Sequence, residues 1–151
     1  MAKVTIEGLD EYTRKLTELK DPVKVQKVCK RAVYEGARVI ADEIDARIDQ
    51  LRGVTDKQRQ GLHEGLGVAR HRVDDGYINT QIGFAGYNEE GTIRGKRPKG
   101  QPNVIVARNL IRGASTVPRQ DFVGAAARAK RQEALQLMQK ALDEEIQKTM
   151  K

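Results

Sequence analysis

The residues able to do chemistry are few, and their spacing is wrong for most known sites. Gly91-Thr92-Ile93-Arg94-Gly95-Lys96-Arg97 comes nearest to a phosphate-binding loop, in which backbone N–H groups cradle phosphate and a hydroxyl after the lysine binds magnesium. Its glycines stand one residue too close and an arginine replaces the hydroxyl. Gly61, Gly65 and Gly67 miss the dinucleotide fingerprint. Ser115 is the only serine, and Gly113-Ala114-Ser115-Thr116-Val117 lacks the second glycine that a nucleophile elbow needs for its strained turn. His63 and His71 stand on different expected elements, with no cysteine or carboxylate at metal-ligand spacing around both, so they read as surface or hydrogen-bonded histidines. Asp42, Asp45 and Asp49 fall on one side of an expected helix and read as its solvated face. Cys29, the one cysteine, has no internal disulfide partner and reads as a buried, inert side chain. The expectation is a protein with no catalytic constellation, no metal and no cofactor.

Composition agrees with one domain and a thin core. Only 4% of the 151 residues are aromatic, and these usually dominate core energetics. No stretch approaches the roughly 20 apolar residues of a membrane-spanning helix, and the N-terminus reaches Glu7 before any signal-like apolar run, which predicts a cytoplasmic origin and no membrane. The net charge of +7 is localised: Ala85 to Arg119 holds seven basic residues against Glu89 and Glu90, and so supplies +5 of it. An electrostatic partner would meet that stretch.

Positioning these residues falls to elements visible in the periodicity. Val4 and Ile6 alternate with polar neighbours, predicting a strand within residues 1–8. Residues 9–52 read as helices: a short one bearing Leu9, Tyr12, Leu16 and Leu19, then, after an Asp21-Pro22 cap, a long one striped by Val25, Val28, Ala32, Gly36, Ile40, Ile44, Ile48 and Leu51 and stopped by Gly53. Thr55 to Gln58 fits a capping box for a short helix over 55–66. Residues 67–84 read as one β-hairpin with Ile78, Thr80, Ile82 and Phe84 on one face. Residues 85–103, rich in glycine and proline and carrying Arg94, Lys96, Arg97 and Lys99, read as a long exposed loop. A connecting segment, 104–120, contains an apolar run compatible with strand or helix. Asp121 caps a last helix to residue 150. The fold class expected is α+β, long amphipathic helices on a small antiparallel hairpin. Its core or interface side chains are Ile40, Ile44, Ile48, Ile78, Ile82, Phe84, Phe122, Met138 and Leu142, with both long helices packed on the hairpin face.

The order of elements, with Ile6-Glu7-Gly8-Leu9-Asp10-Glu11 leading into the helices, Gly61-Leu62 before the hairpin and Leu110 to Phe122 before the final helix, resembles one family along nearly the whole chain. It is the head–tail joining, tail-completion or neck family of long-tailed double-stranded-DNA bacteriophages, named for gene product ten of a lambdoid phage. The resemblance implies a non-enzymatic virion subunit assembled in the host cytoplasm. It would form a ring, expected as a hexamer, between the portal-side connector and the tail-tube or terminator proteins, with DNA passing through the lumen. A small subunit with a thin core is also expected to gain burial between copies. The competing expectation is a nucleic-acid-binding protein using Arg94, Lys96, Arg97 and Lys99, although no reading helix, zinc knuckle or aromatic platform is visible beside those charges.

Overall fold

The computed structural model describes residues 2–3, 22–74, 77–89 and 100–149. Val4, Ile6, the helix expected over Leu9 to Leu19 and the Asp21 cap lie outside the described residues. Within them the strand expected near the N-terminus is β1 (Ala2–Lys3). The long stripe forms α1 (Pro22–Ile48), burying Val25, Ala32, Ile40, Ile44 and Ile48. The helix ends before Leu51 and before the expected stop at Gly53. A guanidinium ends it: Arg59, on α2 (Asp56–Gly65), donates to the carbonyls of Ile48 at 2.6 Å and Leu51 at 3.1 Å. This cation satisfies carbonyls left over at the helix terminus and faces its negative pole. Gly53 turns the connection instead, at φ +74°. The capping box of α2 forms as expected, with Thr55 Oγ1 accepting from the Gln58 N–H at 3.2 Å and Gln58 Oε1 accepting from the Thr55 N–H at 3.1 Å.

The expected single hairpin is stepped. β2 (Leu66–Val68) pairs antiparallel with β5 (Gln81–Phe84), placing Leu66 opposite Phe84 and Val68 opposite Ile82, while β1 lies along the other edge of β5. Further out, β3 (Arg72–Asp74) pairs with β4 (Tyr77–Asn79), Val73 opposite Ile78. Between the ladders Ala69, Arg70 and His71 oppose only Thr80 and Gln81, which makes a β-bulge. The buried Thr80 hydroxyl donates to the Ala69 carbonyl at 2.7 Å, satisfying an acceptor that the interrupted ladder would strand.

The apolar run after residue 103 is helical, giving α3 (Asn103–Arg112) with Val106, Ala107 and Leu110 buried. The last helix, α4 (Phe122–Thr149), begins at Asp121, whose Oδ1 accepts from the Gly124 N–H at 2.9 Å. The fold is α+β.

The core has two parts. Ile40, Ile44, Ile48, Leu62, Ile82, Leu110 and Phe122 share the larger cluster; Cys29, Val33, Met138 and Leu142 share the smaller. α4 therefore runs antiparallel along α1, its start beside the end of α1. The expectation that both helices lie on the hairpin needs correction. α1 carries the hairpin, and α4 meets it at Phe122, whose ring centroid is 5.9 Å from that of Phe84, while Ile78 packs on the smaller cluster that α1 and α4 share. Ile78 and Phe84 are accordingly half-buried rather than buried. Their strands sit at the margin of the helix pair.

Gly36 sets how closely the helices approach. A Cβ there would stand 2.5 Å from Met138 Sδ and 2.7 Å from Met138 Cγ, and Met138 is itself buried. Gly36→Leu is expected to destabilise the fold by about 1 to 3 kcal/mol through overpacking, read as a lower Tm by circular dichroism. An unchanged Tm would contradict the close crossing.

Candidate docking site at the root of the basic segment

Arg94, Lys96, Arg97 and Lys99 lie outside the described residues. What the structure gives is the root from which they depart, and it is not the exposed loop expected over 85–103. β6 (Tyr87–Asn88) and β7 (Gln101–Pro102) pair antiparallel, Asn88 opposite Gln101, so the chain returns beside itself on either side of the segment. Asn88 and Asn103 are buried polar residues at 4% and 2% exposure. Asn88 Nδ2 donates to Asn103 Oδ1 at 3.2 Å, Asn103 Nδ2 to the Ala85 carbonyl at 2.9 Å, and the Asn103 backbone N–H to the Gly86 carbonyl at 3.0 Å. Together these bonds close both ends of the segment onto one point. Buried amides with their bonds made hold a backbone in one place, because any other arrangement strands them.

The glycines that failed as a nucleotide fingerprint explain where that point is. Gly61 and Gly65, one turn apart on α2, form a bare strip against which the root lies. A Cβ at Gly61 would collide with the Asn88 and Asn103 side chains, and one at Gly65 with the Ala85 carbonyl and Asn103 Nδ2. The Ala85 N–H donates to the Gly65 carbonyl at 2.8 Å, and Gln58 Nε2 to Gln101 Oε1 at 2.9 Å. Gly100, at φ +85°, meets the Asn88 carbonyl so closely that no side chain fits. Sequence reasoning missed this site. Its available signal was the pair Gly61 and Gly65 at helical spacing, together with two asparagines at the ends of a glycine-rich run.

The other basic residues of the stretch, Arg108, Arg112 and Arg119, are exposed. Gln120 ties their connecting segment to the turn after α1, with Oε1 accepting from the Arg52 N–H and Nε2 donating to the Arg52 carbonyl, both at 2.8 Å.

The root also rests on a histidine clasp. His63 on α2 places Nδ1 2.6 Å from Asp45 Oδ1 and Nε2 2.8 Å from Asp49 Oδ1, both carboxylates on α1. Asp45 and Asp49 are therefore not simply a solvated face, as expected above. The bond to Asp45 holds the imidazole's pKa above its ordinary value, burial opposes this, and Asp49 adds to the rise. A folded-state pKa above the unfolded one gives stability that is fully present below about pH 6.5 and is lost as pH rises through the raised value. The Tm of the wild-type chain should thus gain on acidification from about pH 8 to about pH 6 relative to His63→Asn, whose amide does not titrate. Parallel Tm profiles for the two proteins would contradict the clasp.

Among the described residues no group of three or more His, Cys, Asp or Glu side chains is placed to hold a metal ion, and no helix is long and apolar enough to cross a membrane. Comparison of the chain with family models, with curated proteins and with solved structures finds no match.

Proposed function

We propose that this chain is a non-enzymatic structural subunit of a bacteriophage virion. It stands in a homo-oligomeric ring, a hexamer, at the head–tail junction, joining the connector to the tail tube while DNA passes through. It docks on its neighbours through the segment bearing Arg94, Lys96, Arg97 and Lys99. The observation that carries this reading is the buried Asn88–Asn103 root, which holds the two flanks of the segment bearing Arg94, Lys96, Arg97 and Lys99 together against α2. The resemblance in element order supports the rest. An anchored root lowers the entropy lost when the charged segment meets a partner, and charge complementarity selects that partner. Acidic side chains of a neighbouring subunit fit better than DNA. Each neutralised phosphate would add salt-dependent affinity and retard passage.

Replacing Arg94, Lys96, Arg97 and Lys99 with serine should leave the Tm unchanged while heads and tails accumulate unjoined. Normal yields of joined, infectious particles from that variant would remove the docking role.

A further inference from the structure

The arginines that follow the root form a surface of their own. α3 turns Val106, Ala107 and Leu110 into the larger core cluster, so Ile105, Arg108 and Arg112, spaced three and four apart, lie together on its outer side and are exposed. The chain then returns beside the last turn of the helix. The Gln120 N–H donates to the Leu110 carbonyl at 2.6 Å, and a Cβ on Gly113 would stand 3.3 Å from Arg119 Cβ, which brings Arg119 next to Arg112. Among the described residues none of these three guanidiniums is held in an ion pair, and Asp121, the acid that follows them in sequence, caps α4.

A face of the opposite sign lies on α1. That helix buries Ile40, Ala41, Ile44 and Ile48 in the same cluster, and α2, β5 and α4 each touch both α1 and α3. The two helices therefore flank the core from different sides, and their outer faces look apart. Asp42, Asp45 and Asp49, again three and four apart, share the outer side at the end of α1. Asp45 and Asp49 remain 51% and 69% exposed at their side chains although both reach His63, and Asp42 is in no ion pair among the described residues. Ala46, exposed among them, adds only a methyl group, which lets a partner come close. Towards the start of α1 the same face turns positive, at Arg38, Arg31 and Lys27, so a row of arginines is accepted at one end of the helix and repelled at the other.

Rows of guanidiniums and carboxylates that look apart cannot pair within one molecule, yet they are complementary between two. We propose that Arg108, Arg112 and Arg119 of one copy dock on Asp42, Asp45 and Asp49 of the next, head to tail, with Ile105 at the edge of the contact. Two unlike faces build a ring or a filament and do not stop at a dimer. The proposal rests on the homo-oligomeric reading above and names its acidic partner.

Exposed charge pairs hold weakly, so association should appear at about 10 mM salt, where charges act over about 30 Å, and vanish near about 1 M. Sedimentation velocity of the full chain at rising concentration should then show species larger than a dimer. Two double changes test the faces: Arg108→Glu with Arg112→Glu, and Asp42→Lys with Ala46→Lys, which spares both partners of His63. Each should raise the dissociation constant at least about tenfold and leave the circular dichroism unchanged. Mixed, the two variants should form a dimer and nothing larger, because each keeps the face that the other has lost. A wild type that stays monomeric at low salt or stops at a dimer, undiminished association of the folded variants, or a mixture that stays monomeric would each overturn the proposal. Association lost only on Arg94→Glu with Lys96→Glu would overturn it as well, while leaving the docking segment in place. The head–tail reading fails separately, when subunits that associate as described are missing from the head–tail axis of particles.

Discussion

Ile44→Asp and Ile82→Asp are each expected to unfold the subunit, the largest effect of any single substitution considered. Ile44 is 0% exposed on α1 and Ile82 2% exposed on β5, and both belong to the cluster that also takes in Leu62, Leu110 and Phe122. A carboxylate at either place would be cut off from water with no cation on hand, and losses above about 4 kcal/mol are typical of buried unpaired charge. That is a large part of the about 5 to 15 kcal/mol that holds a domain together. Val23→Asp, at a position 76% exposed, serves as the control and should leave the Tm unchanged. Cooperative melting of Ile44→Asp or Ile82→Asp at the wild-type temperature would show that the two-layer core is misassigned.

The second large effect is expected at Asn103→Ala. The change removes the donor to the Ala85 carbonyl and the acceptor used by Asn88 Nδ2, both inside a region closed to water. Losing two such bonds and exposing a gap beside Gly61 should cost about 2 to 4 kcal/mol. The damage should also be local. Hydrogen exchange at the amides of Ala85 and Asn103, which bond to Gly65 and Gly86, should quicken more than at Ile44. In particle assembly the variant should resemble the serine-substituted loop, because a positive segment on a loosened root meets its partner less often. Equal protection at Ala85 and Asn103 in wild type and variant would mean that the asparagine pair does not anchor the segment.

The parts of the fold legible in the sequence are those governed by local rules. The stripe from Val25 to Ile48 and the Thr55–Gln58 box are decided within one or two helical turns, and both form as expected. The step in the hairpin was partly legible. Val68 and Val73 stand five apart, an odd interval that a regular strand sends to opposite faces, so one of them needed an extra residue to pair on the side of Ile82 and Ile78. The eight residues from Val104 to Ile111 were ambiguous because an apolar run that short fits either period. Asn103 decides the matter from outside the run, since its side chain is committed to the root and its backbone opens α3.

The rest depended on tertiary contact. His63 meets Asp45 and Asp49 across two helices, 18 and 14 positions away in sequence, and no spacing rule connects those positions. Arg59 ends α1 from a different helix, which no cap search within α1 could find. Most consequential was the root of the basic segment. A run of glycine, proline and charge reads as open loop, yet its flanks carry two asparagines that become buried because Gly61 and Gly65 leave room for them. The Tyr34–His71 ring contact joins residues on α1 and in the bulge, 37 positions apart in sequence, which no spacing rule connects.

The most direct test of the structural role is to locate and count the chain in assembled particles. Electron cryo-microscopy of purified virions carrying a tagged copy should show a closed ring of subunits, six by this account, around the head–tail axis between connector and tail tube, with the tag repeating around that axis. Particles lacking the chain, or holding a lone copy away from the axis, would contradict it.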